Sequence, residues 1–369
     1  MADDWARQAG RSLLILHVDH GLQPQSPAWA AACARLAARL GHRFQALAWT
    51  GAKPQAGLPA AARAARHRLL ADAARAAGAR VVLLGHTADD LRESRVMRAA
   101  GSTTPDAREW APSPAWPEGR GVFLLRPLLG VGRTQLRAWL EARNQTWIDD
   151  PANIDLRYAR SRARRSPGAV GAAQMARGAL ALAEQATHDV GIITLARSAL
   201  RDAAPEDARR FVALASVCAG GGARRPATTR IDRAVEALRG PQPTAFTLAG
   251  ARLEADDMTI RIFREAGETA RGGLASLDLA KGSTCVWDGR FEVAAGQEGG
   301  VVRPLAGIAR RVPASEQAIL RRLPPATRGS LPGLVIEDRV TCPALTGEAL
   351  SLIPDRFAAA AGLIDREAG

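Results

Sequence analysis

Residues 81–93 read VVLLGHTADDLRE, an apolar run that ends at a glycine and continues into a polar, helix-forming segment. The apolar residues 81–84 are typical of a strand buried on both faces, and the pattern after them predicts a helix over 88–100. Two earlier runs, SLLILHV at 12–18 and FQALAW at 44–49, have the same strand character, and helices are predicted between the strands. Strands separated by helices of this length predict an α/β fold with a doubly wound parallel sheet.

The pattern changes twice further along the chain. A helical region is predicted from about residue 166, and short strands and turns follow from about 245. We therefore predict three parts: a catalytic α/β domain over 1–165, a helical region over 166–245, and a small α/β or β-rich part over 246–369.

Composition narrows the class of protein. The chain has 369 residues, a net charge of +13 and a pI of about 11.1. This charge favours a polyanionic partner such as nucleic acid, although an arginine- and alanine-rich composition is also what a GC-rich genome imposes. No apolar run approaches the ~20 residues that span a bilayer, so no membrane partner is expected.

The cysteines are scattered along the chain. They are Cys33, Cys218, Cys285 and Cys342. Single cysteines without metal-ligand spacing predict reduced thiols, a cytoplasmic location and no metal held by protein ligands.

Polar clusters stand where two predicted strands end. The first strand ends in His17-Val-Asp-His-Gly21, and the third ends in Gly85-His-Thr-Ala-Asp-Asp90. In an open parallel sheet, ligands bind outside the carboxyl ends of the strands, so both clusters are candidate site residues. On the following helix, Asp90 and Glu93 are three residues apart and project from one face. The alternative is that Asp90 only caps the helix with Thr87.

A further cluster is basic. Arg160, Arg162 and Arg164 alternate along the sequence, so an extended segment would direct all three the same way, toward RNA phosphates. The alternative is a solvated basic stretch before a helix.

Five motifs stand in series along the N-terminal half. They are His17-Val-Asp-His-Gly-Leu22, Ala62-Arg-Ala-Ala-Arg-His67, Gly85-His-Thr-Ala-Asp-Asp-Leu-Arg-Glu93, Arg126-Pro-Leu-Leu129, and Asp149-Asp-Pro-Ala-Asn153 leading to Tyr158-Ala-Arg160. In order and spacing they resemble the motifs of the tRNA(Ile)-lysidine synthetase family, within the N-type ATP-pyrophosphatase (PP-loop) superfamily. The likeness weakens after about residue 165.

The resemblance implies a ligase that acts in two steps. The C2 oxygen of the wobble cytidine of tRNA(Ile) is adenylated by ATP with Mg²⁺, and pyrophosphate leaves. The amine of L-lysine then displaces AMP from C2 and gives lysidine. The resemblance also implies that the helical region binds tRNA, and it is consistent with a homodimer.

The same resemblance assigns roles to individual residues. They are the catalytic, lysine-recognising carboxylates Asp90 and Glu93, with Asp89 beside them; His20 and His86 in the ATP pocket; and Arg126, Arg160, Arg162 and Arg164 as contacts with tRNA or phosphate.

The chain departs from the family at the ATP phosphate loop. The family opens with a strand and an S-G-G-x-D-S loop whose amides hold the phosphates, and neither this motif nor a Walker-type loop occurs here. We expect a start codon placed too late in the gene, with the first strand and loop upstream of Met1. His67 also stands where the family has Tyr.

Two other functions stay open. One is a non-catalytic tRNA-binding remnant of the family. The other is a tRNA sulfur-transfer enzyme of the same superfamily, which the lack of paired cysteines disfavours.

Overall fold

The computed structural model describes residues 1–102, 107, 109–149, 159–165, 178–222, 225–267 and 274–361. The chain divides into two compact units. The N-terminal unit contains Met1–Val170 with Glu367–Gly369, and the C-terminal unit contains Gly171–Arg366. The finer division into three parts stays a prediction. Within the described ranges, no helix is long and apolar enough to cross a bilayer.

The N-terminal unit alternates helices and strands, as the sequence predicts. Its helices are α1 (Ala2–Gln8), α2 (Ser26–Leu40), α3 (Leu58–Ala76), α4 (Ala88–Ala99), α5 (Arg133–Glu141) and α6 (Ala159–Arg165). Its strands are β1 (Leu14–Asp19), β2 (Arg43–Ala48), β3 (Val81–Leu83), β4 (Trp110–Pro112) and β5 (Phe123–Leu125). Gly41 ends α2 in the left-handed conformation, which glycine adopts without a steric penalty.

The described strands of this unit form two hydrogen-bonded sheets. In the first, β1 and β2 pair in parallel; in the second, β5 lies between the parallel β3 and the antiparallel β4. Side chains from both sheets pack with α3 in one core. That core contains Leu16, Val18, Leu47, Leu70, Ala71, Ala74, Val82, Leu84, Val122 and Leu124. The α/β fold with parallel strands is therefore confirmed, with its hydrogen bonds divided between two sheets.

A segment expected to be extended is helical. Residues 159–165 form α6. In an α-helix, residues i and i+2 are about 200° apart around the axis, so they lie on opposite sides. The expectation of an extended segment was therefore wrong, and Arg162 and Arg164 lie on opposite sides of α6. Alternation favours a strand only where a partner strand is available, whereas alanine and arginine favour a helix locally. Residues 150–158, which carry most of the fifth motif, lie outside the described residues.

The C-terminal unit joins helices to antiparallel sheets. Its helices are α7 (Gly178–Gln185), α8 (Arg197–Asp202), α9 (Pro205–Ala219), α10 (Thr228–Arg239), α11 (Ala314–Arg322), α12 (Pro325–Arg328), α13 (Pro343–Thr346) and α14 (Ile353–Ala361), with a 3-10 turn at Ala309–Arg311. Its strands are β6 (Thr187–Asp189), β7 (Ile192–Ala196), β8 (Thr244–Leu248), β9 (Ala251–Ala255), β10 (Thr259–Arg264), β11 (Leu277–Leu279), β12 (Thr284–Trp287), β13 (Phe291–Ala294), β14 (Gly300–Pro304), β15 (Pro332–Ile336), β16 (Arg339–Thr341) and β17 (Ala349–Ser351).

Long-range pairing shapes these sheets. The strand orders are β6-β7-β10-β9-β8, β11-β14-β15-β16 and β12-β13-β17. The hairpin β6–β7 lies inside the stretch expected to be helical, and it joins the first of these sheets through β10. The strand β10 is more than 60 residues further along the chain, so local patterning does not reveal this pairing.

A buried ion network links β10 to the β12–β13 hairpin. Asp288 accepts hydrogen bonds from Arg264 Nε at 2.8 Å and Arg264 Nη2 at 3.1 Å, and from Arg290 Nε at 2.7 Å. Burial lowers the pKa of Arg290 to about 10, and the charge of Asp288 opposes this shift. Two buried guanidiniums thus share one carboxylate, which makes Asp288 essential to the charge balance of this core.

Asp288→Asn is expected to lower the free energy of unfolding by about 3–5 kcal/mol, because both guanidiniums lose their counter-charge. Asp338→Asn removes the same charge at an exposed turn of the same unit, and it is expected to change stability by about 0.5 kcal/mol or less. Urea unfolding of the two variants measures the difference. Similar small losses in both would contradict the role of Asp288.

Candidate functional site

The carboxyl end of β1 forms a tight polar turn. Asp19 Oδ1 accepts a hydrogen bond from Gly21 N at 2.7 Å, and Gly21 has a φ of +63°. This bond, then one from Ser26, lowers the pKa of Asp19. His20 lies edge-on to Trp49, which follows β2, with 6.1 Å between the ring centroids. Burial lowers the pKa of His20, so its imidazole is neutral at pH 7.

The start of α4 is capped by Asp90. Its Oδ2 accepts hydrogen bonds from Thr87 N at 2.8 Å and Thr87 Oγ1 at 3.0 Å, which completes a capping box. His86 precedes the cap, and burial lowers its pKa to about 4 although the charge of Asp90 opposes this. A carboxylate accepts several hydrogen bonds, so capping leaves a second role for Asp90 open.

The other two predicted carboxylates bind arginines. Asp89 Oδ2 accepts a hydrogen bond from Arg133 N, the first residue of α5, at 2.7 Å. The side chain of Glu93 is fully buried, and its Oε1 lies 2.6 Å from Arg164 Nε and 3.4 Å from Arg133 Nη2. Asp90 and Glu93 therefore share a helix but not an environment. One carboxylate caps the helix, and the other is neutralised by arginines from α5 and α6.

Basic side chains to which the sequence assigned no role lie near His86 and Arg126. Arg63, Arg66 and His67 are on α3, and with His86 and Arg126 they form what we call the cationic cluster. His67 is only 2% exposed. Burial, followed by the charges of Arg66, Arg63 and Arg126, lowers its pKa to about 3. Among the described residues, its two ring nitrogens have no hydrogen-bond partner.

The sequence carried a weak signal for this cluster. Arg63 and Arg66 are three residues apart and so face the same side of α3. Nothing in that spacing shows that Arg126, some 60 residues later, comes close enough for the charge of Arg63 to affect it. Burial, then the charge of Arg63, lowers the pKa of Arg126 to about 10.

The structure separates the four predicted arginines. Arg126 is buried, Arg162 is exposed on α6, and Arg164 is paired with Glu93. The side chain of Arg160 lies outside the described part of the chain. Arg162 lies at the surface, where RNA phosphates would be contacted, whereas the burial of Arg126 favours contact with a smaller anion.

The arrangement suits the binding of a phosphate-bearing ligand. Arg63, Arg66 and Arg126 lie near enough for their charges to lower the pKa values of His67 and His86, which burial keeps neutral, and guanidiniums bind phosphate through charge-assisted hydrogen bonds. In the parts of the chain that the structure describes, no group of three or more His, Cys, Asp or Glu side chains could hold a metal ion.

The chain is similar in sequence to a family of known proteins. The model of the PP-loop domain family matches residues 1–167. A tRNA(Ile)-lysidine synthase of Caulobacter vibrioides is 49% identical over 375 residues, covering 99% of this chain and 90% of that protein. A tRNA(Ile)-lysidine synthase of Rhizobium meliloti is 33% identical over 308 residues, covering 77% of this chain and 66% of that protein. A solved structure, the U34-tRNA thiolase NcsA of Methanococcus maripaludis, aligns with a TM-score of 0.37 and 14% identity over 44% of this chain and 58% of that one, too low to support an inference.

His67→Phe is expected to reduce the loss of stability at acid pH. The pKa of His67 is about 3 in the folded chain and about 6.5 when unfolded, so the unfolded state binds an extra proton between these values. The contribution of neutral His67 to the free energy of unfolding is fully present above about pH 6.5. It is lost as the pH drops toward 3, by up to about 1.4 kcal/mol per pH unit. The variant is expected to lose about 2 kcal/mol less than the wild-type chain between pH 7 and pH 5 in urea unfolding.

The comparison at pH 7, where the histidine is neutral in both states, corrects for any change in packing. Equal losses of stability in the two chains would show that His67 is not buried in its neutral form.

Proposed function

Because the chain belongs to the tRNA(Ile)-lysidine synthase family, we propose that it ligates L-lysine to C2 of the wobble cytidine of tRNA(Ile) at the expense of ATP. The observation that carries this proposal is the cationic cluster beside the carboxylates of α4, at the carboxyl ends of β3 and β5. A phosphate-binding group and an ammonium-binding group are the two features that the reaction needs. A homodimer and a cytoplasmic location remain predictions from the family.

The cationic cluster is the proposed site of the ATP phosphates. In the first step the C2 oxygen of cytidine attacks the α-phosphorus, and the bond to pyrophosphate breaks. Arg63, Arg66 and Arg126 would stabilise the charge that develops on the leaving group, and their burial strengthens this effect. His86 and His20 would stay neutral and bind the nucleotide through hydrogen bonds, since burial keeps both pKa values low.

Mg²⁺ fits this scheme as part of the nucleotide. It is usually held by phosphate oxygens, waters and one or two carboxylates, and it neutralises phosphate charge during transfer.

The carboxylates of α4 are the proposed site of the lysine ammonium. In the second step the amine nitrogen attacks C2, a C–N bond forms, and the C–O bond to AMP breaks. Because two arginines already neutralise Glu93, Asp90 is the better candidate for direct contact with the ammonium. Glu93 and Asp89 would then position α5 and α6 around the site.

The first test is enzymatic. ATP–pyrophosphate exchange and labelled-lysine incorporation into tRNA(Ile) are measured with this chain and with a chain that is extended at its N-terminus by translating upstream codons of the gene. Incorporation in either chain supports the ligase. Tight tRNA binding without exchange or incorporation in both chains would instead indicate the non-catalytic remnant.

Asp90→Asn is expected to raise the KM for lysine about tenfold or more, because the charge that attracts the ammonium is lost. Asparagine keeps an acceptor oxygen for Thr87 N, so α4 remains capped. Steady-state kinetics in the active chain measure this effect, with ATP–pyrophosphate exchange expected to be nearly unchanged. Asp72→Asn, on the exposed side of α3, is the matched control. An unchanged KM in the Asp90 variant would remove Asp90 from the lysine site.

Arg162→Ala is expected to weaken tRNA(Ile) binding and to lower the slope of log K against log salt by about one, because one phosphate contact is lost. Filter binding at several salt concentrations gives the slope. Arg322→Ala makes the same charge change at an exposed position of α11. An identical slope in the wild-type chain and the Arg162 variant would show that RNA does not run along α6.

A further inference from the structure

The turn after α5 presents a consecutive pair of large apolar side chains to solvent. Trp147 is 38% exposed and Ile148 is 48% exposed. Every residue of the segment 141–149 except Gln145 is exposed, and α5 itself contains no buried residue. A single exposed apolar side chain is ordinary on a protein surface, so the packing around this pair decides whether it has a role.

The indole of Trp147 is held in place although it is exposed. The guanidinium of Arg137 lies over the ring, 5.3 Å from its centroid. Asp149 ties the two side chains together, because its Oδ1 accepts a hydrogen bond from Arg137 Nη2 at 2.5 Å and its Oδ2 accepts one from Trp147 Nε1 at 3.2 Å. The side chains of Arg137 and Asp149 thus fix the orientation of a flat ring that solvent still reaches. Fixing it in advance reduces the entropy lost when a partner binds.

Further arginines contact the turn that carries the ring. Arg39, on α2, donates a hydrogen bond to Gln145 Oε1 in the same turn at 2.6 Å. Arg143, also in the turn, lies over the ring of Trp139, 3.9 Å from its centroid. Among the acidic residues of this turn that the structure describes, Asp149 is paired with Arg137, and Glu141 is exposed at the end of α5. An aromatic face with arginines around it suits a nucleobase whose phosphates the arginines approach.

We propose that Trp147 stacks on an unpaired base of the bound tRNA, with Ile148 packed against the same nucleotide and Arg39 and Arg143 near its phosphates. This proposal rests on the proposed function, because it takes tRNA as the partner. A second copy of this chain is the competing occupant, since tryptophan and arginine are also enriched in protein interfaces. These arginines favour RNA as the partner, because a second copy would place its own arginines opposite them and like charges repel.

The test uses the full chain and a transcript of tRNA(Ile). Trp147→Leu removes the flat ring and keeps an apolar side chain, and it is expected to weaken binding about 10-fold, within the 5- to 100-fold range of base stacking on an aromatic ring. The salt slope is expected to stay unchanged, because stacking displaces no counterions. Trp147→Phe is expected to retain most of the affinity. Trp5→Leu, at an exposed tryptophan of α1, is the matched control and is expected to bind like the wild-type chain.

Two outcomes overturn the proposal and leave the proposed function intact. One is binding by Trp147→Leu within twofold of the wild-type chain. The other is an unchanged RNA affinity with a loss of dimer in sedimentation equilibrium, which assigns the surface to a second copy. Failure of the wild-type chain to bind tRNA(Ile) at all overturns both proposals. Binding that depends on Trp147 without lysine incorporation keeps the stacking surface and rejects the ligase.

Discussion

The buried carboxylate of Glu93 sets the arrangement of the N-terminal unit. A carboxylate without counter-charge would be several kcal/mol too costly in this position, so cations must accompany it. Arg133 on α5 and Arg164 on α6 supply these cations. Asp89 accepts a hydrogen bond from the backbone amide of the first residue of α5. The three helices that surround the candidate site are thus connected through two acidic residues of one helix. Asp90, on the same helix, instead accepts hydrogen bonds from Thr87 at the start of α4.

The cationic cluster is the second electrostatic feature of the candidate site. Arg63, Arg66 and Arg126 lie together, and the histidines beside them are neutral because burial opposes their protonation. Guanidiniums next to neutral imidazoles can bind an anion through charge-assisted and neutral hydrogen bonds. The capped carboxylate of Asp90 lies near this cluster, since its charge acts on the same His86.

The surplus of arginine has several physical roles, which the net charge alone does not distinguish. Arg197 is fully buried and donates hydrogen bonds to the carbonyl oxygens of Leu238, Gly240, Gln242 and Asp256. Arg264 and Arg290 share Asp288 in the core of the C-terminal unit. Part of the +13 charge is therefore structural, so the net charge does not measure how much positive charge the surface offers to a partner.

The sequence by itself determined the alternation of strands and helices in the N-terminal unit, the capping box of α4 and the family, because these depend on local periodicity and on motif order. The tertiary structure alone decided that Glu93 is neutralised, that Arg126 joins Arg63, and that Arg137 and Asp149 orient Trp147. Each of these contacts joins residues on different elements or across a turn, and desolvation by the surrounding chain sets its electrostatic effect. The alternating arginines of α6 and the β6–β7 hairpin were misread for the same reason, since strand character depends on a partner that lies far away in sequence.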